Sequence, residues 1–182
     1  MDSVHHIAIV GLMGAGKTTV GRLVADDLGW PLVDSDEVVL ERTGMTVAEL
    51  WERGGEPAFR PHEREAVTQA LAGPGPDVVA VAAGAIEDSV VVTSLRQPGV
   101  LRVWLRVEPG TVAARVTSSD HRPLIDADPL ALLTAQAAER AEAYEDVADL
   151  VLDVEQATPH DLAAAVTATL RARPTAQADP PG

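Results

Sequence analysis

The chain has 182 residues, 28 acidic side chains against 14 basic ones, a formal net charge of −14 and no cysteine. One domain of about 100–200 residues is expected, without disulfides, thiolate metal sites or a cysteine nucleophile. Such a charge repels nucleic acid and anionic membrane surfaces, and only five aromatic residues are available to stack bases, so neither is an expected partner.

The first segment, 4–10, is apolar and strand-like, and nothing ahead of it has the basic region of a secretion signal. The longest apolar run, 78–86, is broken by Gly84 and falls short of the ~18 residues that a membrane span needs. A cytoplasmic protein is therefore expected. Further strands are expected at 31–34, 78–82, 100–105 and 150–154. Helices are expected at 17–28, 35–43, 47–53, 57–71, 88–96, 109–117, 129–147 and 159–171. Prolines 57, 109, 129 and 159 stand where a first helical turn tolerates them. Continuous apolar strands alternating with helices point to a parallel sheet covered on both faces, an α/β fold. The last residues, 173–182, read as a frayed tail.

Between the first strand and helix, Gly11-Leu12-Met13-Gly14-Ala15-Gly16-Lys17-Thr18 fits G-x-x-x-x-G-K-[ST] without a mismatch. Glycines let backbone N–H groups curl around phosphate oxygens, and the helix that follows offers them its positive end. Lys17 supplies a compact charge to the β- and γ-phosphates, the Thr18 hydroxyl joins a Mg²⁺ shell, and Thr19 extends the nucleotide-binding run. Of the 14 basic residues 13 are arginine, and the single lysine is Lys17. A conventional GTPase that reads guanine with Asn-Lys-x-Asp is thereby disfavoured, which leaves ATP, the expected nucleotide, or a P-loop that holds its base less specifically.

Asp34 and Asp36 close the second strand at the sheet edge where open α/β folds bind ligands, and can divide metal and acceptor duties. Either could also serve as a helix N-cap. Arg60 and Glu63, three residues apart, read by themselves as an exposed ion pair worth a few tenths of a kcal/mol. Leu130, Leu133, Ala137, Ala141 and Tyr144 recur at helical spacing with Arg140 on the same face, and a guanidinium there needs a carboxylate or phosphate. Arg115 and Arg122 bracket a polar stretch that can act as a lid or be an ordinary loop. The nine acids in 126–155 read mostly as a solvated face, and the five histidines have no zinc-ligand spacing.

Together these segments resemble the shikimate kinase family: Gly11 to Arg22, Asp34-Ser35-Asp36, Thr43-Gly44-Met45, Gly55-Glu56, Phe59-Arg60-x-x-Glu63, Arg122-Pro123-Leu124 and Arg140-x-x-x-Tyr144. The resemblance spans about residues 7–170. It implies a P-loop, nucleoside-monophosphate-kinase-like fold with a five-stranded parallel sheet, as one domain over 1–172. A substrate-binding region at about 35–72 and a lid at about 116–127 would belong to it.

The implied reaction is γ-phosphoryl transfer from ATP, with Mg²⁺, to a hydroxyl of a small polyhydroxylated ring. The resemblance implies that Asp34 holds Mg²⁺ directly or through water and that Asp36 meets the acceptor hydroxyl. Arg60 and Arg140 would grip a substrate carboxylate, with Glu63 orienting Arg60. Arg122 would stabilise the transferring phosphoryl group, and Arg115 would lie against adenine. The family carries three consecutive glycines after the third strand, where this chain reads Ala82-Ala83-Gly84. Either those backbones already have negative φ and the methyls are harmless, or the acceptor pocket around Ala83 and Gly84 has been reshaped. Shikimate is the favoured acceptor, with kanosamine, another aminosugar or a cyclitol of an antibiotic pathway as the alternative. An ATP-sensing regulatory module is the alternative of a different class, though a sensor has no use for Arg60 and Arg140. A monomer or weak homo-oligomer is expected.

Overall fold

The computed structural model describes residues 4–115 and 128–173. The expected lid with Arg122, and the tail beyond Arg173, lie outside the described residues. The elements run β1 His6–Val10, α1 Lys17–Leu28, β2 Leu32–Asp34, α2 Ser35–Thr43, α3 Val47–Gly54, α4 Glu56–Ala72 and β3 Asp77–Ala80. There follow a 3₁₀ turn Ala85–Glu87, α5 Ser89–Leu95, β4 Val100–Arg106, α6 Pro109–Arg115 and α7 Pro129–Val147. Then come β5 Leu150–Asp153, a second 3₁₀ turn Val154–Gln156 and α8 Pro159–Ala172.

The strands form one sheet in the order β2-β3-β1-β4-β5, every neighbouring pair parallel. All five residues of the central strand β1 are buried. Successive strand side chains point to opposite faces, so this burial requires cover on both. Helix α1 packs against α8 and β3, while α4 meets β3 and α7 meets β4. With β1 between β3 and β4, the chain changes direction across the sheet there, and the crevice beyond the strand ends holds the site.

A smaller apolar cluster of Val39, Leu50, Phe59 and Ala66 ties α2, α3 and α4 together and gives the expected substrate-binding region its own core. Capping fixes the helix starts: Asp34 accepts from the Asp36 N–H at 3.0 Å, and Thr46 and Thr158 each form a reciprocal capping box. No helix among the described residues is long and apolar enough to cross a membrane.

Several expectations need correction. Strand β3 ends at Ala80 rather than 82, because the Ala82 N–H turns away to donate to Ser35 Oγ at 2.9 Å. Strand β1 starts at His6 rather than at residue 4, and the His6 Nδ1 lies 2.7 Å from Asp77 Oδ1 in a buried pair. On α7 the buried positions are Leu133, Arg140, Tyr144 and Val147. Leu130, at the first turn of the helix, and Ala141 are exposed. The acidic stretch is more than a solvated face: Asp149 and Asp153 pair with Arg102 and Arg106 across β4–β5, and Glu155 accepts from the Glu108 N–H and the Thr111 hydroxyl.

Candidate active site

The loop between β1 and α1 contains glycines for two different physical reasons. A β-carbon on Gly11, at φ +145°, would lie 2.6 Å from the Leu105 carbonyl oxygen, so the close approach of loop and β4 excludes a side chain. Gly16, at φ +92°, has open space around it and is required for its backbone conformation alone. It is the N-cap of α1 and offers no side chain to the first-turn amides. Those amides and the helix dipole suit a phosphate.

Gly14, Gly16, Lys17, Thr18 and Thr19 line a cavity of about 320 Å³ together with Asp34 and Asp36. Ala15, within the loop, is buried and lines neither this cavity nor the neighbouring one. Lys17 Nζ donates to the Gly11 and Leu12 carbonyls, each at 2.9 Å. Asp34 caps α2 through Oδ1, as one of its expected roles, while Oδ2 accepts from the Thr18 hydroxyl at 2.6 Å. No cluster of three or more ligating side chains occurs among the described residues. Thr18 and Asp34 supply two oxygen donors, the ligand type that a hard cation takes beside phosphate and water.

A second cavity, about 440 Å³, is lined by Asp36, Trp51, Phe59, Arg60, Gly84 and Arg140 among others. Met13, Asp36, Ala82 and Ala83 line both cavities. Asp36 thus stands where they adjoin. Arg60 lies over the Phe59 ring, 4.9 Å from its centroid, and spreads its nitrogens over three carboxylates. Nε donates to Glu56 at 2.8 Å, Nη1 to Glu63 at 2.7 Å and Nη2 to Glu87 at 3.1 Å. Burial works against its charge, but the Glu63 and Glu56 carboxylates outweigh that and hold its pKa above the ordinary value. Burial also raises the Glu63 carboxyl, and Arg60 draws it only part of the way back. The pair is therefore part of a buried cavity wall rather than the exposed ion pair of its bare spacing.

Arg140, 6% exposed, also donates through Nη2 to Glu87 at 3.1 Å, and its Nε is buried without a partner among the described residues. A buried unmatched donor costs about 1–3 kcal/mol, which leaves this guanidinium suited to an incoming anionic group.

The segment after β3 is fixed from both sides. Ser35 Oγ accepts the Ala82 N–H, and the buried Tyr144 hydroxyl donates to the Ala83 carbonyl at 2.8 Å. Burial pushes that hydroxyl's pKa far above its ordinary value, so it remains a donor. No non-glycine residue described has positive φ, so Ala82 and Ala83 occupy ordinary backbone. Gly84 differs: a β-carbon there would fall 1.8 Å from Arg60 Nη1. Arg115 ends α6, is exposed and lines neither cavity. Among the cavity residues that sequence reasoning missed are Glu87 and Trp51. Trp51 carried a usable signal as an aromatic residue in the substrate region; Glu87, on a three-residue turn, carried none.

A parallel sheet with a phosphate-binding loop after β1, and a carboxylate between that loop and a second, arginine-bearing cavity, define a P-loop phosphotransferase for small molecules. The comparisons with known proteins narrow this class. The family model described as shikimate kinase matches residues 13–171. The shikimate kinase of Moorella thermoacetica is 42% identical over 154 residues, 82% of this chain and 85% of its own length. That of Thermobifida fusca is 40% identical over 172 residues, 94% of this chain and 98% of its own. The structure of the Acinetobacter baumannii shikimate kinase in complex with shikimate superposes with a TM-score of 0.87 at 30% identity, over 93% of this chain and 94% of that one. The chain belongs to the shikimate kinase family.

Proposed function

We propose that the protein transfers the γ-phosphoryl group of ATP to a hydroxyl of shikimate. The observation that carries this reading is the position of Asp36 in the lining of both cavities, between the phosphate loop and the Arg60–Arg140 pair. In this reading the loop amides and Lys17 hold the β- and γ-phosphates. Asp36 accepts a hydrogen bond from the acceptor hydroxyl, aligning its oxygen for attack and receiving its proton as the new P–O bond forms, the γ-phosphorus bond to the β,γ-bridging oxygen breaks and ADP leaves. Arg60 and Arg140 hold the acceptor's carboxylate, Glu63 keeps Arg60 in place, and Ala83 and Gly84 form the wall beside the ring. Thr18 and Asp34 would hold Mg²⁺, which supplies charge neutralisation at the phosphate oxygens. Positioning and cationic stabilisation then account for most of the catalysis, as in phosphoryl transfer generally. Arg122 is proposed to add positive charge at the transferring group, and Arg115 to contact the adenine. The working unit is read as a monomer or weak homo-oligomer in the cytoplasm, where ATP is supplied.

A coupled ADP-release assay tests the reading. Turnover with MgATP should depend on shikimate, and Lys17→Met or Asp36→Asn should reduce it at least ~10³-fold while the melting temperature holds. Turnover with kanosamine or a cyclitol and none with shikimate would move the acceptor. Tight ATP binding without turnover on any acceptor would favour the sensor reading.

A further inference from the structure

The two arginines of the acceptor cavity are already bridged by a carboxylate of the chain itself. Glu87 Oε2 accepts from Arg60 Nη2 and from Arg140 Nη2, both at 3.1 Å, so a single oxygen joins two guanidinium groups from different helices. The other two acids on Arg60 have different parts. Glu63 is buried on α4 and takes Nη1 at 2.7 Å, and Glu56 accepts from Nε at 2.8 Å with Nη2 2.7 Å from the same oxygen, so Nη2 lies between Glu56 and Glu87. Both belong to the same helix as Arg60 and orient it.

Of these three acids only Glu87 hydrogen-bonds Arg140, and its contacts are the longer ones. Its side chain is 39% exposed and stands on a 3₁₀ turn of three residues, so it can leave the arginines without disturbing a helix or a strand. A carboxylate-bearing acceptor in this cavity needs the same guanidinium edges. Like charges cannot share them without mutual repulsion, so Glu87 and the acceptor carboxylate compete.

We infer that Glu87 is a specificity-determining residue, an internal competitor whose carboxylate must release Arg60 and Arg140 before the carboxylate of the acceptor is held. This rests on the shikimate reading above. The competition sets acceptor affinity. It also excludes weak monocarboxylates, which gain too little elsewhere in the cavity to displace the side chain. The chemical step, centred on Asp36 and Lys17, is not where Glu87 acts.

Glu87→Gln keeps the shape and removes the charge. The variant should lower the KM for shikimate about three- to tenfold, the size expected for two partly exposed charge contacts, with a larger change in KM than in kcat. The gain should disappear with shikimate methyl ester, which has no charge to compete, and Glu87→Asp should retain most of the competition. Calorimetric titration of shikimate into each variant provides a readout independent of turnover and should give the same order of affinities. A purely structural counter-ion predicts the opposite: Glu87→Gln would lower the melting temperature and raise KM. Unchanged or raised KM in a variant of an otherwise shikimate-active protein overturns the inference alone. Absence of shikimate turnover and binding in the unaltered protein overturns the acceptor reading and the inference with it.

Discussion

Replacing Gly84 with alanine offers a sharp test of how the acceptor cavity is built. The backbone there has φ −84° and ψ −15°, an ordinary right-handed conformation, so alanine adds no strain and should recover about 0.4–1 kcal/mol of unfolded-chain entropy. The added methyl carbon would, however, lie 1.8 Å from Arg60 Nη1 and 2.6 Å from Cζ. Reaching ordinary contact at 3.4 Å requires the guanidinium to retreat by about 1.6 Å, which breaks its contacts to Glu63 and Glu87. Loss of these half-buried ion pairs costs stability about 1–3 kcal/mol, partly offset by the entropy gain.

Function should suffer more than stability. Displacing one partner of a desolvated charge pair in a binding site costs about 2–4 kcal/mol, or roughly 30- to 1,000-fold in kcat/KM for the acceptor. Steady-state kinetics with shikimate varied at saturating MgATP would read the loss, chiefly as raised KM, while the KM for ATP stays within about twofold. A thermal melt would separate this from unfolding. Shikimate KM within twofold of the unaltered protein would refute the placement of Arg60 against Gly84, and complete loss of folding would refute the claim that the backbone tolerates alanine.

Other outcomes follow from the same geometry. Ala82→Gly with Ala83→Gly should leave acceptor preference nearly unchanged across shikimate, kanosamine and related cyclitols, since both alanines sit at negative φ; a switched preference in the acceptor panel would contradict this. Tyr144→Phe removes the donor to the Ala83 carbonyl and should cost about 1–3 kcal/mol in urea unfolding, with raised acceptor KM as the wall loosens. Burial alone would raise the Asp149 carboxyl, but hydrogen bonds from the Arg102 side chain and N–H outweigh it and hold its pKa below the ordinary 3.8. Its stabilisation is therefore complete above that value and is lost as the pH falls through the lower folded-state value. Asp149→Asn should flatten the acid limb of a melting-temperature profile below about pH 4, and an unchanged limb would assign the acid loss to other groups.

The phosphate loop was legible because its residues are contiguous and act through their own backbone, and the strand–helix alternation was legible because burial on both faces leaves continuous apolar runs. Asp34 shows what the sequence read in part: the N-cap was legible, while the bond that its other oxygen accepts from the Thr18 hydroxyl came from the fold. The neighbouring alanines show a limit. Sequence marked Ala82 and Ala83 as departures, but only the fold reveals that Gly84 is the position in that run where a methyl would evict Arg60.

Sequence by itself determined the sheet, the phosphate loop and the requirement that Arg140 on a buried stripe find an anion. Tertiary structure decided which anion. Glu87 meets Arg60 across 27 residues and Arg140 across 53, from a short turn with neither helical nor strand periodicity. Interactions within a helical turn are written in spacing. A carboxylate oxygen shared by two guanidinium groups depends instead on how the sheet order brings α4, α7 and the segment after β3 to one crevice, and no local pattern encodes that meeting.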